Sequence, residues 1–475
     1  MVFVIIAGII LRLKIYLCNQ SFWMDEALLG ANIERKYYTF FKPLINGQVA
    51  PPFFMVLSKF FLFISGQADN LQNKDFVLRF LPFLCSVFSV PVFALAAQKM
   101  FNNKYFTLFS TTVFSLNKTA ISYAQEFKQY SSELLFSVLL ILFFCCLDLK
   151  NISNKKLIFY SLFFAFSPWF ANSSLIILCT GFFILILQMI IDKYFDKIKT
   201  LILFVPMTVS LILFFIYYSA VKKAMFEYMH NYWAVSLPSF FDFSNFCELF
   251  TVKNQYLIDF PYSHFLLPFL LLSILILFCT KNYKRIILIV FPVCLSILLS
   301  FLHQYPYEQR IILFLLPSFV LLYSQIALLI KNTKTSDIIS SFAVLIFSFH
   351  MLFVPMQELI LHKSYIRDLA LILKNENSEM KNLIAGALDF QYYMPNSKGF
   401  EFENIWENYD EADFENKLKQ FKKGEDIWIL LCAHSKTYNK NQKIKEYIFK
   451  NYKNTKIWIS PYDENIYLIK FGERK

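Results

Sequence analysis

Two acids stand side by side in Phe22-Trp23-Met24-Asp25-Glu26-Ala27, just after the first apolar run. A carboxylate in such a place can take a proton from an attacking hydroxyl. It can equally serve as an acid at a helix start, where it complements the dipole and caps free N–H groups. Arg79, in Phe76-Val77-Leu78-Arg79-Phe80-Leu81-Pro82, opens another apolar run. A guanidinium there either snorkels to a membrane edge or clamps a phosphate with its fork of donors. The octet Tyr123-Ala124-Gln125-Glu126-Phe127-Lys128-Gln129-Tyr130 packs an acid, a base, two amides and two tyrosines between apolar runs. Plain turns favour Gly, Asn, Asp, Ser or Pro. The octet contains none of these, so a site is the better reading. Tyr305-Pro306-Tyr307-Glu308-Gln309-Arg310 is a further polar turn, and Arg310 leads straight into an apolar run. It is an interfacial Tyr/Arg anchor or a second phosphate contact. A base together with several cations suits a reaction that removes a proton and expels an anion.

The elements that must position these residues are set by composition. The chain of 475 residues is 57% hydrophobic, 19% aromatic and 17% charged, with 58 Phe. A soluble domain carries more charge and far less Phe. Repeated apolar runs of about 17–22 residues fit the hydrocarbon core of a bilayer. Helices are the natural spanning element, because each backbone group must be satisfied internally; the alternation of a membrane β-barrel is absent. Spans are predicted at 1–17, 76–98, 105–121, 131–147, 157–170, 173–191, 200–219, 263–280, 286–302, 311–330 and 337–355, eleven in all. Trp23–Tyr38 reads as a short helix, and the Phe-rich stretch from Pro51-Pro52 to Ser65 as an interfacial one.

Loop charge sets the orientation. Lys99, Lys104, Lys150, Lys155, Lys156, Lys193, Lys197, Lys199, Lys281, Lys284, Arg285, Lys331 and Lys334 gather in one set of loops, which is therefore cytoplasmic. The loop 18–75, the turns near 122–130 and 303–309, the loop 220–262 and everything after 356 fall outside. Arg12 and Lys14 oppose this locally; either they snorkel to the outer interface or the true start lies upstream. Residues 1–355 thus form a transmembrane domain whose first outer loop, 18–75, carries the acid pair, and 356–475 form a second domain. In that tail the pattern predicts helices at Ser364–Asn375, Glu411–Lys422 and Gln442–Tyr452. Strands are predicted at Asn382–Ala387, Asp426–Cys432, Lys456–Ser460 and Asn465–Phe471, the last two joined as a hairpin by Pro461-Tyr462-Asp463-Glu464. The fold class is an all-α polytopic membrane protein with a small extracytoplasmic α/β domain.

Other chemistries find little support. The net charge of +12 sits in orienting loops, which argues against a nucleic-acid partner. Most of the nine Cys lie inside apolar runs as small hydrophobes, and a bridge between Cys18 and Cys247 is a lesser option than two thiols. His230, His264 and His303 fall outside without ligand spacing. No phosphate-cradling glycine loop occurs.

Taken in order, Phe22 to Ala27, Ala50-Pro51-Pro52-Phe53, Leu78 to Pro82, the octet Tyr123–Tyr130 and Tyr305 to Arg310 with Leu316-Pro317 form a set that resembles the polytopic GT-C glycosyltransferases. The similarity is to the bacterial branch related to protein O-mannosyltransferases and the lipid A aminoarabinose transferase. It covers the membrane part, with a weaker echo in Asp426–His434. Lys128 replaces the Arg usual in that turn, and Ala50 and Phe53 depart from the commoner His-Pro-Pro-Leu form. The resemblance implies a hexosyl- or pentosyltransferase that takes a sugar from polyprenyl phosphate and inverts its anomeric centre. The acceptor would be a lipid, glycan or protein of the cell envelope, at the outer face of the bacterial cytoplasmic membrane. It implies Asp25 as base and Glu126 as the second catalytic acid, which orients the acceptor or helps hold a divalent metal ion. Glu26, Arg79, Lys128, Tyr130 and Arg310 would bind substrate, the cations facing the lipid phosphate. The alternative is a transporter or flippase of lipid-linked sugars. Such proteins often carry repeated halves and Gly-broken helices; here there are only 9 Gly and no matching halves.

Overall fold

The structure, a computed structural model, describes residues 1–232, 243–258, 263–330, 333–354, 356–360, 366–376, 383–385, 390–393, 411–418, 426–432, 438–453, 455–460 and 463–472. Residues 364–365, 382, 386–387, 419–422, 433–434 and 461–462, which belong to predicted tail elements, lie outside these, as do the side chains of His230, Cys247 and His264. The chain divides into two compact units. The first comprises Met1–Cys18, Lys36–Ile64 and Val77–Leu361, and the second comprises Asn19–Arg35, Ser65–Phe76 and His362–Lys475.

The first unit is helical. A helix, or a run of helices, occupies each of the eleven predicted apolar runs. Among the described residues, six helices are long and apolar enough to cross a membrane, and the shorter apolar helices include Pro52–Ser65 and Tyr130–Cys146. The protein is a multi-pass membrane protein. Large apolar side chains such as Phe215, Leu275, Ile338 and Phe342 lie exposed on the helices, as expected where lipid is the solvent. The run Ile311–Leu329 is 83% buried over its most apolar window and lies in the interior; Lys334–Leu352 is 11% buried and lies at the periphery.

Helix starts follow their capping residues. Asn103 accepts from the amides of Tyr105 and Phe106, Asn282 from that of Arg285 and Thr333 from that of Ser336. Asn117 accepts from the amide of Ala120. That cap breaks the predicted span 105–121 into helices Lys104–Ser115 and Lys118–Ser122. At the C-terminal end of Tyr130–Cys146, Lys284 donates to the carbonyl of the cap residue Leu147 at 3.1 Å, where the dipole favours a cation, and Lys199 donates to that of Leu149 in the following turn at 2.7 Å. The run 311–330 is a 3-10 turn, a helix Leu316–Tyr323 with Pro317 in its first turn, and a second 3-10 stretch. The predicted helix 200–219 is longer than expected, Lys197–Tyr232.

Arg12 corrects an expectation. It does not snorkel; it is fully buried. Its Nε donates to Ser86 Oγ at 2.8 Å, and its Nη1 to the carbonyls of Gly8 at 2.9 Å and Ser115 at 2.7 Å. Ser115 ends the helix Lys104–Ser115, so the guanidinium satisfies a carbonyl at a negative dipole end. The approach is close: a Cβ on Gly8 would lie 2.8 Å from the Ser115 oxygen.

In the second unit, the expected helix Trp23–Tyr38 shrinks to Met24–Gly30 followed by turns, and the stretch from Tyr37 is 3-10 and belongs to the first unit. Gly30 is a poor helix former. A Cβ there would lie 2.6 Å from the Tyr392 ring. The tail forms a four-stranded sheet of β1 (Leu383–Ala385), β2 (Ile427–Cys432), β3 (Lys456–Ser460) and β4 (Asp463–Phe471) in the order β1-β2-β4-β3. β1 pairs parallel to β2, and β4 runs antiparallel to both β2 and β3. The period of two sorts the faces. Ile427, Ile429, Ile469 and Phe471 join Phe414, Leu418, Ile444 and Ile448 of two helices in one core. Trp428 and Leu468 point the other way, Trp428 stacks on Trp458 with centroids 5.3 Å apart, and the helix Ile366–Glu376 packs against β3 and β4.

Candidate active site

The octet in the first unit is an ordered, buried turn. The helix Lys118–Ser122 passes into a 3-10 turn at Tyr123–Gln125, and Glu126 is extended. The Lys128 amide donates to the Glu126 carbonyl at 2.7 Å, a tight turn about Phe127. Phe127 is fully buried and stacks on Phe54, centroids 5.7 Å apart. With Phe127 held inward, Glu126 and Lys128 are fixed on either side of it. Both are about 5% exposed or less, as are Tyr123 and Gln125. Ser131 Oγ donates to the Tyr123 carbonyl at 2.8 Å, and the Tyr123 and Tyr130 rings meet edge to face at 5.2 Å. Lys128 Nζ donates to Gln48 Oε1 at 2.6 Å, a partner from the segment 18–75 that sequence reasoning missed.

Burial pushes the Tyr123 phenol well above its ordinary range; the charges of Glu126 and Tyr130 add to this and Arg310 opposes it. One phenol thus stands within electrostatic reach of Glu126, Tyr130 and Arg310, residues that the sequence separates by almost two hundred positions. Glu308 acts on it too. The turn around Arg310 is braced by the helix Phe243–Ile258. Lys253 Nζ lies 2.7 Å from Glu308 Oε2, and the Tyr307 hydroxyl donates to Asn254 Oδ1 at 3.2 Å. Gln309 Nε2 donates to Thr119 Oγ1 at 3.3 Å, and Thr119 in turn donates to the Tyr256 carbonyl at 2.7 Å. Both polar turns are therefore tied to one helix.

Arg79, 3% exposed, is the residue before the helix Phe80–Phe101 and is drawn inward. Burial raises the Cys18 thiol above its usual value; its own backbone hydrogen bond, Lys14 and Arg79 oppose this, which puts the guanidinium near Cys18. Cys18 Sγ donates to the Lys14 carbonyl at 3.2 Å. Glu133 is a second residue that sequence reasoning missed. It is buried in the first turn of Tyr130–Cys146 and faces the backbone at Asn172 and Ser173, where the helix Ser174–Ile191 begins. The signal that could have found it is an acid inside an apolar run.

Asp25 and Glu26 belong to the second unit. They differ sharply in environment. Asp25 is half-buried, whereas Glu26 is 1% exposed and reaches back to accept the Trp23 amide at 3.3 Å. That is the N3 half of a capping box. Glu26 is thus occupied by its own helix start, and the half-exposed side chain of the pair is Asp25. Around this helix run Glu34–Lys74, 2.8 Å, and Arg367–Asp75, 3.1 Å. Among the described residues, no three His, Cys, Asp or Glu side chains are grouped as a metal would require.

No family model matches the chain, and no curated protein matches it. Two solved structures are similar over nearly the whole length. One is ArnT from Cupriavidus metallidurans bound to undecaprenyl phosphate, with a TM-score of 0.55 and 10% identity, over 99% of this chain and 97% of that one. The other is the same protein in the apo state, with a TM-score of 0.54 and 9% identity, over 98% and 97%. The chain has the GT-C fold.

Proposed function

We propose that the protein is an inverting glycosyltransferase that moves a sugar from a polyprenyl-phosphate carrier to a lipid, glycan or protein acceptor of the cell envelope. The reaction runs at the outer face of the bacterial cytoplasmic membrane. The observation that carries this reading is the buried turn holding Glu126 and Lys128 in place, on a chain with the fold of a protein solved with undecaprenyl phosphate bound.

In this reading Asp25 accepts the proton of the acceptor hydroxyl as its oxygen bonds to the anomeric carbon. The bond from that carbon to the phosphate oxygen breaks on the opposite face, so the configuration inverts. Polyprenyl phosphate leaves with the electron pair. Arg79, Lys128 and Arg310 meet the charge that develops on it; preorganised cations in a water-poor site need little reorganisation. Tyr130 and Glu126 orient the substrates, and Glu26 fixes the helix that presents Asp25. Loss of turnover on EDTA treatment, restored by magnesium or manganese, would give Glu126 a metal to hold instead.

The test uses purified protein, membrane extract as acceptor and synthetic undecaprenyl-phosphate hexoses and pentoses as donors, with released undecaprenyl phosphate read by mass spectrometry. Asp25→Asn, checked for an unchanged melting temperature, should lower turnover by about 10²–10⁴-fold, the usual contribution of a general base. Turnover near that of the wild type would end the assignment.

A further inference from the structure

The segment that carries Asp25 is held by tail residues that take no part in the proposed chemistry. Asn19 has a left-handed backbone, φ 44°. Arg367 holds it there, Nη2 donating to its carbonyl at 2.5 Å and Nη1 to its Oδ1 at 3.3 Å. Three residues on, the Phe22 amide donates to the Tyr393 hydroxyl at 2.6 Å. That hydroxyl donates in turn to Asp75 Oδ2 at 2.7 Å, which also accepts from Arg367 Nη1 at 3.1 Å. Phe22, Asp75, Arg367 and Tyr393 are all buried. The Phe22 ring stacks on Tyr392, centroids 5.2 Å apart, and Gly30 at the far end of the helix packs on the same ring. The Phe22 amide lies immediately before Trp23, the N-cap of Met24–Gly30. Its position therefore sets where the first helical turn, and Asp25 within it, begins.

We propose that Tyr393 is a positioning residue for Asp25: its hydroxyl, oriented by Asp75 and Arg367, pins the backbone that enters the Asp25 helix. This deepens, and rests on, the reading of Asp25 as the base. The bridge needs a group that accepts and donates at once, which a phenol does and a carboxylate does not. Burial first, and then Asp75, hold the Tyr393 phenol well above its ordinary range, so it keeps the donated proton at neutral pH. A base displaced by a fraction of an ångström leaves donor binding intact while slowing the chemical step.

The experiment uses the full chain in detergent and the undecaprenyl-phosphate sugar that the wild type turns over. In Tyr393→Phe the amides of residues 22–26 should exchange with deuterium about tenfold faster. The turnover number should fall about tenfold, with the donor KM within twofold of wild type. Unchanged exchange at 22–26, or faster exchange with a wild-type turnover number, overturns the proposal. Asp75→Asn keeps the side-chain volume and should move both readouts in the same direction; it replaces Tyr393→Phe if that variant fails to fold. Asp25→Asn is run alongside. Wild-type turnover in Asp25→Asn refutes the base, whatever the exchange data say. Loss of turnover there, with an unimpaired Tyr393→Phe, refutes the positioning alone.

Discussion

Replacing Lys128 by Met removes one buried charge and keeps most of the stem's volume. Lys128 is 5% exposed and its ammonium is held at 2.6 Å by the neutral Gln48 amide. If a lipid phosphate binds about 4 Å from that ammonium, the attraction at an effective dielectric constant of about 20 is about 4 kcal/mol. The phosphate gives up hydration when it binds, which reduces the net worth to about 2–4 kcal/mol. At about 1.4 kcal/mol per factor of ten, Lys128→Met should raise the Kd for undecaprenyl phosphate about 30- to 700-fold. Gln48→Leu is the matched control. It deletes one hydrogen bond and leaves the charge, so its effect should stay near tenfold, the worth of about 1.5 kcal/mol. Lys128→Arg should recover much of the affinity, since a guanidinium grips phosphate with two donors. Binding of undecaprenyl phosphate to detergent-solubilised protein, followed by intrinsic fluorescence, gives all three constants without knowledge of the sugar. A Lys128→Met affinity within threefold of wild type, or a Gln48→Leu variant equally impaired, would refute the reasoning.

Other outcomes follow from particular contacts. Arg12→Ala strands the Ser115 carbonyl, while the Ser86 hydroxyl keeps its bond to the Ala120 carbonyl; at about 1–3 kcal/mol for the orphaned acceptor it should lower the melting temperature, and Arg12→Lys should not restore it. Gly30→Ala presses a methyl into the Tyr392 ring, an overpacking worth about 1–3 kcal/mol, and should lower stability in a denaturant melt. Burial, followed by Asp75, raises the Tyr392 and Tyr393 phenols well above their ordinary range. The folded chain then keeps protons that the unfolded chain gives up, so this contribution is complete below about pH 10 and is lost as pH climbs beyond it. Unfolding followed from pH 7 to 11 should accordingly show a flat region and then a fall.

Much of the fold could be read from residue order because the membrane constrains it so heavily. Each apolar run became helical, since a lipid-exposed backbone has few other ways to satisfy itself. The tail strands were legible from β-branched and aromatic runs such as Ile427–Cys432. What could not be read was pairing over distance. Gln48 meets Lys128 across 80 positions, and Tyr393 meets Asp75 across 318. No local pattern encodes such a contact. Arg12 was misjudged because a cation near a helix end looks like an interfacial anchor; its burial depends on Ser86 and Ser115, which lie far along the chain. Glu133 escaped notice for the opposite reason, a single acid hidden in a strongly apolar run. The lack of turn formers in the octet pointed to a site, whereas its burial and the half-buried setting of Asp25 depend on packing that no local pattern encodes.

The strand order β1-β2-β4-β3 has a consequence for biosynthesis. β4 is made after the other three, yet it lies between β2 and β3 and is the strand to which both are bonded. While the chain grows, β3 emerges with no neighbour to receive it and β2 waits with one edge open. The sheet can therefore close only once translation has passed Phe471. A product that stops between β3 and β4 would present two bare, apolar edges to chaperones and proteases. Premature termination there should be cleared from the cell, not tolerated as a shortened protein.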